Sequence, residues 1–101
     1  MEIDVQVQED CVIVKPVGRV DSTVAEEFHR RLLGTIDAHP TPVDLDCSAM
    51  PYISSSGLRV LALAAKALSQ RGQRLRIIRP TAVVLSTLTL TNFTSFLDVV
   101  T

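Results

Sequence analysis

The sequence is poor in the residues that mark several common classes of protein. It has no tryptophan, four aromatic residues, and two cysteines, Cys11 and Cys47, with no CxxC spacing. Such cysteines give no zinc or redox signature, and we expect them to be small buried side chains in a reducing compartment. Because stacking side chains are few and the net charge is −1, nucleic acid is a poor candidate partner.

Segments that address a protein to a membrane are also missing. No apolar run approaches the roughly 20 residues of a membrane span. The first residues, Met1 to Asp4, lack the basic and apolar regions of a secretory signal. We therefore expect a cytoplasmic protein with no membrane span.

The motifs of common enzymes are absent as well. There is no GxSxG, no GxGxxG and no phosphate-loop pattern, and the carboxylates are scattered without a recognisable pair. His29 and His39 each stand alone and are expected at the surface, with nothing in the sequence to bring either near a serine. We therefore expect a protein that is not an enzyme and that uses no metal and no cofactor.

What the chain does have is the composition of one folded domain, residues 1–101. It has a mass of 11.0 kDa, with 47% hydrophobic and 21% charged residues, enough for a core without disulfides or metals. Residues 1–50 hold ten acids and four bases, a net −6, whereas residues 51–101 hold six bases and one acid, a net +5. These opposite charges could neutralise each other within the fold, or they could form a polarised surface that steers a charged partner. We favour neutralisation.

Hydrophobic periodicity predicts an initial hairpin followed by alternating helices and strands. Ile3, Val5 and Val7 alternate with polar residues as in a strand with one solvent-facing side, and a more apolar strand follows at 11–17. The later elements are a helix with the stripe Val24, Phe28, Leu32 and Ile36, a strand at 43–47, a helix from Ser54 to about Gln70, a strand around Leu75 and Ile77, and a helix containing Val83 to Leu88. The order β-β-α-β-α-β-α implies an α/β fold with a mixed sheet whose later strands are parallel.

Local signals predict where some of these elements begin and end. Thr23 and Glu26 have the spacing of a capping box for the first helix, and Pro80 suits the first turn of the third. Asn92 is expected in the left-handed conformation at the end of that helix. Residues 96–100 form a short last element, and its type, strand or helix, stays open.

The segment Pro51–Leu58 stands out because three consecutive serines, Ser54 to Ser56, precede a predicted helix. On spacing alone we favour a helix cap, since serine accepts a hydrogen bond from an unpaired N–H at a helix start. The alternative is that the same N–H groups and the helix dipole favour an anion. A phosphate on a serine there would add about −1.5 to −2 charges, and Gly57 would leave room for a kinase or nucleotide to approach.

The second predicted helix is apolar around nearly its whole circumference. Between Leu58 and Leu68 only Arg59 and Lys66 are charged, so the apolar surface is wider than one core-facing stripe requires. Either the helix is central and heavily covered, or part of its alanine-rich outer side meets another protein. The sequence leaves both interpretations open.

With these features in this order, the chain resembles the STAS domain, and most closely the bacterial anti-sigma factor antagonists. The resemblance covers essentially all 101 residues. It rests on Gly18-Arg19-Val20-Asp21 before the first helix, a third strand ending at Asp46, Tyr52-Ile53-x-Ser55-Ser56-Gly57-Leu58, a helix closing near Gly72, the Leu75–Ile78 strand, and Asn92-Phe93 where the family usually has Gly-Leu. It implies a single STAS-like domain with helices packed mainly on one face of the sheet.

The resemblance also implies a phosphorylation site. In proteins of this kind, an anti-sigma factor that is also a serine kinase phosphorylates the hydroxyl residue immediately before Gly-Leu, here Ser56, with Ser55 as the second candidate. The unphosphorylated antagonist binds that kinase and so releases a sigma factor. The expected partner-binding surface contains Asp21, Ser54, Ser55, Ser56, Gly57, Leu58 and Arg59.

The chain departs from the family pattern at two positions. Ser54 stands where the family commonly has an aspartate, which removes a negative charge beside the expected phosphoacceptor. Asp44 occupies a usually apolar strand position, which suggests an exposed edge or a partner such as an arginine. The alternatives are a STAS docking subunit that is never phosphorylated, for example of a lipid-transport ATPase or a signalling scaffold, and a module that binds a small ligand or nucleotide. The oligomeric state is left open.

Overall fold

The computed structural model describes all residues from Met1 to Thr101. The strands are β1 (Glu2–Val7), β2 (Val12–Val17), β3 (Val43–Asp46), β4 (Arg76–Ile78) and β5 (Asp98–Val100). The helices are α1 (Ala25–Ala38), α2 (Ser55–Ser69) and α3 (Ala82–Leu90), with a 3-10 turn at Phe93–Ser95. None of the helices combines the length and apolar character that crossing a membrane requires.

The strands form one mixed sheet whose spatial order follows the chain, from β1 to β5. β1 and β2 pair antiparallel as the predicted hairpin, and each later pair of neighbours is parallel. Parallel neighbours need a crossover, which the helices supply. The carboxyl ends of β2, β3 and β4 therefore meet at one edge of the sheet, where the chain leaves for the three helices.

One face of the sheet carries the core, and the other lies open. Val12, Val14, Leu45 and Ile77 are buried on the covered face and form a single cluster with the apolar sides of all three helices. The buried helical residues include Phe28, Leu32 and Ile36 of α1, Leu61 and Leu68 of α2, and Val84 and Leu88 of α3. The predicted α/β fold and its order are confirmed, and Phe28, Leu32 and Ile36 of the predicted α1 stripe are buried. The fourth stripe residue, Val24, precedes the helix as its N-cap and is half-buried.

The last element, whose type the sequence left open, is a strand. β5 pairs in parallel with β4, with Val99 opposite Ile77. Asn92, at φ 62°, adopts the predicted left-handed conformation and turns the chain from α3 toward this strand. The sheet thus has five strands, one more than the predicted order contains.

Two predicted helix starts are wrong. Thr23 and Glu26 do not form a capping box, and α1 has no side-chain cap. Thr23 instead lies in a turn before the helix, where its N–H and its hydroxyl donate to Asp21 Oδ1 at 3.0 and 2.6 Å. Pro80 lies before α3 and not in its first turn, because the hydroxyl of Thr81 caps that helix.

The alternation of apolar and polar residues in β1 predicts burial only in part. Ile3 is buried, but Val5 and Val7 are 41% and 62% exposed. The register places Val5 opposite Val14 and Val7 opposite Val12, which are both buried. Since β1 is an edge strand, its outer apolar residues share the core face but extend past the layer of helices.

β3 ends in a buried carboxylate, that of Asp46, which is 5% exposed. It accepts hydrogen bonds from Ser48 N at 3.0 Å and from Arg79 Nη2 at 2.7 Å. Burial acts to raise the pKa of Asp46, but the bonds from Arg79 and Ser48 outweigh it and leave that pKa below its ordinary value. The ion pair also secures Arg79, whose φ of 50° is uncommon for a non-glycine residue.

Asp44 does not lie at an exposed edge, because β3 is the central strand of the sheet. It is half-buried on the open face. Its neighbours in the register are Ile13 on β2 and Arg76 on β4. The expected arginine neighbour is present across the strands, but the two side chains form no salt bridge.

Candidate functional site

The candidate site is built by two loops that leave the carboxyl edge of the sheet side by side. The Val20 N–H donates to Tyr52 O at 2.9 Å, and the Ser54 N–H donates to Val20 O at 2.8 Å. Val20 and Ile53 form an isolated parallel bridge. This loop ladder places Asp21, which follows Val20, beside Ser54 at the start of α2.

Gly57 packs directly against the loop ladder. A Cβ at this position would lie 2.7 Å from Ile53 Cγ1 and 2.8 Å from Val20 Cγ1, far inside the usual separation of carbon atoms. From its place in the sequence, this glycine is expected to leave room for an approaching kinase or nucleotide. That expectation is wrong, because the space that Gly57 leaves is internal and is filled by the protein's own side chains.

The three serines of the segment differ in what their hydroxyl groups do. Ser54 is the N-cap of α2, and its Oγ accepts a hydrogen bond from Gly57 N at 3.2 Å. Ser55 is exposed and Ser56 is half-buried, and neither hydroxyl has a partner within the protein. The predicted cap is therefore Ser54 alone, and the next two hydroxyl groups are unused by the fold.

Ser56 lines a groove between the first two helices, which we call the α1–α2 groove. It has a volume of about 280 Å³. Its lining residues are Ala25, Glu26 and His29 from α1, and Ser56, Arg59, Val60 and Leu63 from α2. Most of the larger side chains around it are exposed, so the groove is open to a partner.

The α1 side of this groove is what sequence reasoning missed. Glu26 and His29 are three residues apart, a spacing that puts them on one helix face but does not reveal what that face lies beside. His29 is exposed, as predicted, yet it lines the same groove as Ser56. No hydrogen bond joins the two side chains, so the pair lacks the contact by which a histidine activates a serine nucleophile.

Asp21 carries a negative charge next to the cap of α2. The side-chain and backbone hydrogen bonds from Thr23 hold the pKa of Asp21 below its ordinary value, with a smaller contribution from the charge of Arg19. The Arg19 guanidinium lies 4.4 Å above the ring of Tyr52, a cation–π contact. The two loops are thus tied together by side chains as well as by backbone bonds.

The residues expected in the partner-binding surface differ in exposure. Ser55 and Arg59 are exposed, Asp21, Ser54 and Ser56 are half-buried, and Gly57 and Leu58 are buried. The two buried residues hold α2 against the rest of the protein and present little surface to a partner. The accessible part of the surface consists of the other five residues and the α1 wall of the groove.

No group of three or more His, Cys, Asp or Glu residues is placed to hold a metal ion. Both cysteines are free, with Cys47 buried and Cys11 half-buried. Burial and the neighbouring charge of Asp46 raise the pKa of Cys47 to about 12, so its thiol stays protonated at neutral pH.

Fold and site together define a small α/β domain that presents a helix start, a serine and an open groove at one end of its sheet. The sequence profile of the STAS domain matches residues 2–101. The chain belongs to the STAS domain family.

Similar proteins carry related names. Over 53 residues, 52% of this chain, the sequence is 43% identical to BtrV of Bordetella bronchiseptica, which is named as an anti-sigma factor antagonist; the match spans 46% of that protein, about half its length. The crystal structure of a Thermotoga maritima protein described as an anti-sigma factor antagonist superposes with a TM-score of 0.89 at 21% identity, covering 96% of this chain and 84% of that one.

The anti-sigma factor antagonist SpoIIAA shares the fold in two states. Its unphosphorylated form has a TM-score of 0.81 at 14% identity, covering 99% of this chain and 89% of that one. The phosphorylated form, from Bacillus, has a TM-score of 0.73 at 13% identity, with 99% and 92% covered. At these identities the likeness shows the fold alone.

Proposed function

We propose that this protein is an anti-sigma factor antagonist, a non-enzymatic module whose binding is switched by phosphorylation of Ser56. The observation that carries the proposal is the position of Ser56 at the start of α2, with a free hydroxyl lining an open groove. In the unphosphorylated state the module binds an anti-sigma factor that is also a serine kinase, and a sigma factor is released. Because such a kinase uses ATP, the proposed location is the cytoplasm.

The names of the similar proteins support this proposal. BtrV, with 43% identity over the matched segment, is named for the same activity. SpoIIAA has been solved with and without phosphate, so a domain of this fold is known in both states. Ser55, exposed and one residue earlier, is the second candidate phosphoacceptor.

The proposed switch is a local change of charge. A phosphate adds about −1.5 to −2 charges at pH 7 to a surface that already contains the carboxylates of Asp21 and Glu26. The first turn of a helix favours negative charge, and Ser56 gives up no internal hydrogen bond when it is modified. Phosphorylation therefore alters the surface that meets the partner and leaves the fold in place.

The test measures binding to the anti-sigma factor kinase of the same organism by titration calorimetry. We expect Ser56→Ala to bind like the native protein and take up no phosphate, and Ser56→Asp to bind about tenfold or more weakly, a change of about 1.4 kcal/mol. Ser86→Ala is the matched control, because Ser86 is an exposed serine on α3. Unchanged binding by Ser56→Asp, with phosphate still incorporated into Ser56→Ala, would reject the switch at Ser56.

A docking subunit that is never phosphorylated is the second candidate function. It is favoured by the outer side of α2, where Leu63 is 38% exposed and the neighbouring Ala62 and Ala67 are half-buried. Such a subunit would form a stable complex whose affinity does not respond to Ser56→Asp. Because Leu63 also lines the α1–α2 groove, Leu63→Ser should weaken binding under either function. The response of the affinity to Ser56→Asp is what separates the two.

A further inference from the structure

Four polar side chains face one another across the α1–α2 groove without partners. Glu26 and His29 lie on the α1 wall, and Ser56 and Arg59 lie on the α2 wall. None of the four makes a hydrogen bond or salt bridge within the protein. Arg71, by contrast, donates to three backbone carbonyl groups. The groove therefore contains charged and polar groups that the fold itself does not use.

Arg59 is the cation best placed to meet a charge on Ser56. Residues three apart on a helix are neighbours on one face, with Cβ atoms about 5–6 Å apart, and helical side chains lean toward the N-terminus. The Arg59 guanidinium is exposed and not held elsewhere. Its planar fork of N–H groups matches the oxygen atoms of a phosphate.

His29 faces the same space from α1. A histidine ring can donate a charge-assisted hydrogen bond to a phosphate oxygen. The acids around the groove are Glu26 on α1 and Asp21 in the adjoining loop, and the Asp21 carboxylate is engaged by Thr23. A phosphate in the groove thus meets two donors, Arg59 and His29, and one unpaired carboxylate, that of the exposed Glu26.

We propose that a phosphate on Ser56 turns into the α1–α2 groove and is bound there by Arg59 and His29 of the same chain. The inference rests on the proposed phosphorylation of Ser56 and specifies how that modification acts. A phosphate held in this way fills part of a groove of about 280 Å³ and closes it to the side chains of a docked partner. Release of the partner then follows from occlusion of the groove as well as from added charge.

Aspartate should be a poorer substitute for phosphoserine if the partner is released by occlusion of the groove than if it is released by charge repulsion alone. An aspartate at position 56 carries one charge on a shorter side chain with two acceptor oxygens, so it fills less of the groove than a phosphate and offers fewer oxygens to Arg59 and His29. We therefore expect Ser56→Asp to weaken partner binding less than a phosphate on Ser56 does. Equal weakening by the two would favour repulsion alone and count against occlusion.

The direct experiment uses the full chain with phosphoserine installed at position 56 during synthesis, so that no kinase is needed. A ³¹P NMR titration gives the second pKa of the phosphate in the native background and in the Arg59→Gln and His29→Gln variants. We expect that pKa to be about 0.5–1 unit higher in each variant, because an opposite charge stabilises the doubly ionised phosphate. Arg59→Lys, which keeps the charge, should retain most of the native value.

Arg30→Gln is the matched control, because Arg30 is an exposed arginine of α1 outside the groove. A phosphate pKa in either Arg59→Gln or His29→Gln that equals the control value would overturn the proposal. Thermal unfolding of each variant checks that the fold is retained. Since the phosphate is installed synthetically, failure of a kinase to modify Ser56 would count against the proposed function and leave this measurement intact.

Discussion

Gly57 sets how closely α2 approaches the loop ladder. Its α-carbon lies where any larger residue would contact Val20 and Ile53, and those two residues hold Asp21 and Ser54 in place. Gly34, in the middle of α1, has nothing within 4 Å of its missing Cβ. The two helical glycines therefore form a natural pair for comparison.

We expect Gly57→Ala to destabilise the domain by about 1–3 kcal/mol, because the added methyl group overpacks the ladder. Gly34→Ala should stabilise it by up to about 1 kcal/mol, since alanine is the better helix former and the site has room. Urea unfolding monitored by circular dichroism measures both changes. Stabilisation of the domain by both substitutions would contradict the packing argument for Gly57.

The Asp46 carboxylate makes the stability of the domain depend on pH in the acid range. Its pKa lies below the ordinary value, so the ionised form stabilises the folded state. That contribution is complete above the unfolded pKa of about 3.9 and is lost as the pH falls through the lower folded pKa. Asp37, which is exposed and without an ion pair, provides a comparison.

We expect Asp46→Asn to lower the free energy of unfolding by about 1–3 kcal/mol at pH 7, since it removes a charged acceptor from Arg79 and Ser48. The difference from the native protein should shrink as the pH is lowered below about 4. Urea unfolding at pH 7 and at pH 3 measures it, with Asp37→Asn expected to match the native protein at pH 7. A deficit of the same size at both pH values would show that the carboxylate charge is not responsible.

At the scale of elements, the start of α2 has a serine cap, Ser54, at the position where the resemblance leads us to expect an aspartate. Ser54 caps the helix through its hydroxyl, and aspartate is an equally good N-cap. The two residues are therefore interchangeable for the helix, while they differ in charge beside the proposed phosphoacceptor. Any effect of that position on kinase recognition can be tested without disturbing the fold.

We expect Ser54→Ala to cost about 1 kcal/mol of stability through loss of the cap, and Ser54→Asp to leave stability nearly unchanged. Thermal unfolding followed by circular dichroism gives both values. Ser55→Ala is the control, because the Ser55 hydroxyl is exposed and caps nothing. Equal stability of Ser54→Ala and Ser55→Ala would remove the capping role.

Elements with a complete local signal could be predicted, and those that depend on contacts between elements could not. The α1 stripe of Phe28, Leu32 and Ile36 is buried as its spacing indicates. The predicted capping box at the start of α1 does not form, because the N–H and the hydroxyl of Thr23 donate to Asp21 instead. A capping motif in sequence does not reveal such a competitor.

In the candidate site, too, the features with a local sequence signal could be predicted and those that depend on contacts between elements could not. The serine segment at a helix start is visible in the sequence, and so is its cap. The position of His29 across from Ser56 depends on how α1 and α2 pack together, which periodicity within one helix does not determine. For the same reason, β5 could not be assigned from the sequence. It is only three residues long, and its pairing with β4 is what identifies it as a strand.

At the scale of the whole molecule, the opposed charges of the two halves are interleaved across the sheet. In register, Asp44 of β3 lies beside Arg76 of β4, which lies beside Asp98 of β5. Asp46, in the acidic first half, also forms a salt bridge with Arg79 of the basic second half at 2.7 Å. The Asp44–Arg76 neighbours and the Asp46–Arg79 ion pair bring acids of the first half against bases of the second, which supports neutralisation within the fold over a strongly polarised surface.

The domain as a whole should remain rigid when the proposed switch operates. A phosphate on Ser56 breaks no internal hydrogen bond, and it lies in the first turn of α2, where negative charge is favourable. We expect the phosphorylated domain to unfold cooperatively, with a free energy of unfolding equal to that of the unmodified domain or up to about 1 kcal/mol larger. Amide chemical-shift changes should be confined to the starts of α1 and α2 and the loop ladder.

Phosphoserine installed at position 86 is the control for this expectation, since Ser86 is an exposed serine in the middle of α3 and the same charge there lies away from a helix start and from the α1–α2 groove. Urea unfolding and two-dimensional ¹H–¹⁵N spectra of the unmodified and the two modified proteins make the comparison. Shift changes that spread through β1 to β5 after modification of Ser56, or loss of cooperative unfolding, would mean that phosphate acts through the whole fold. Confinement to the rim of the α1–α2 groove would place the switch entirely at the surface that meets the partner.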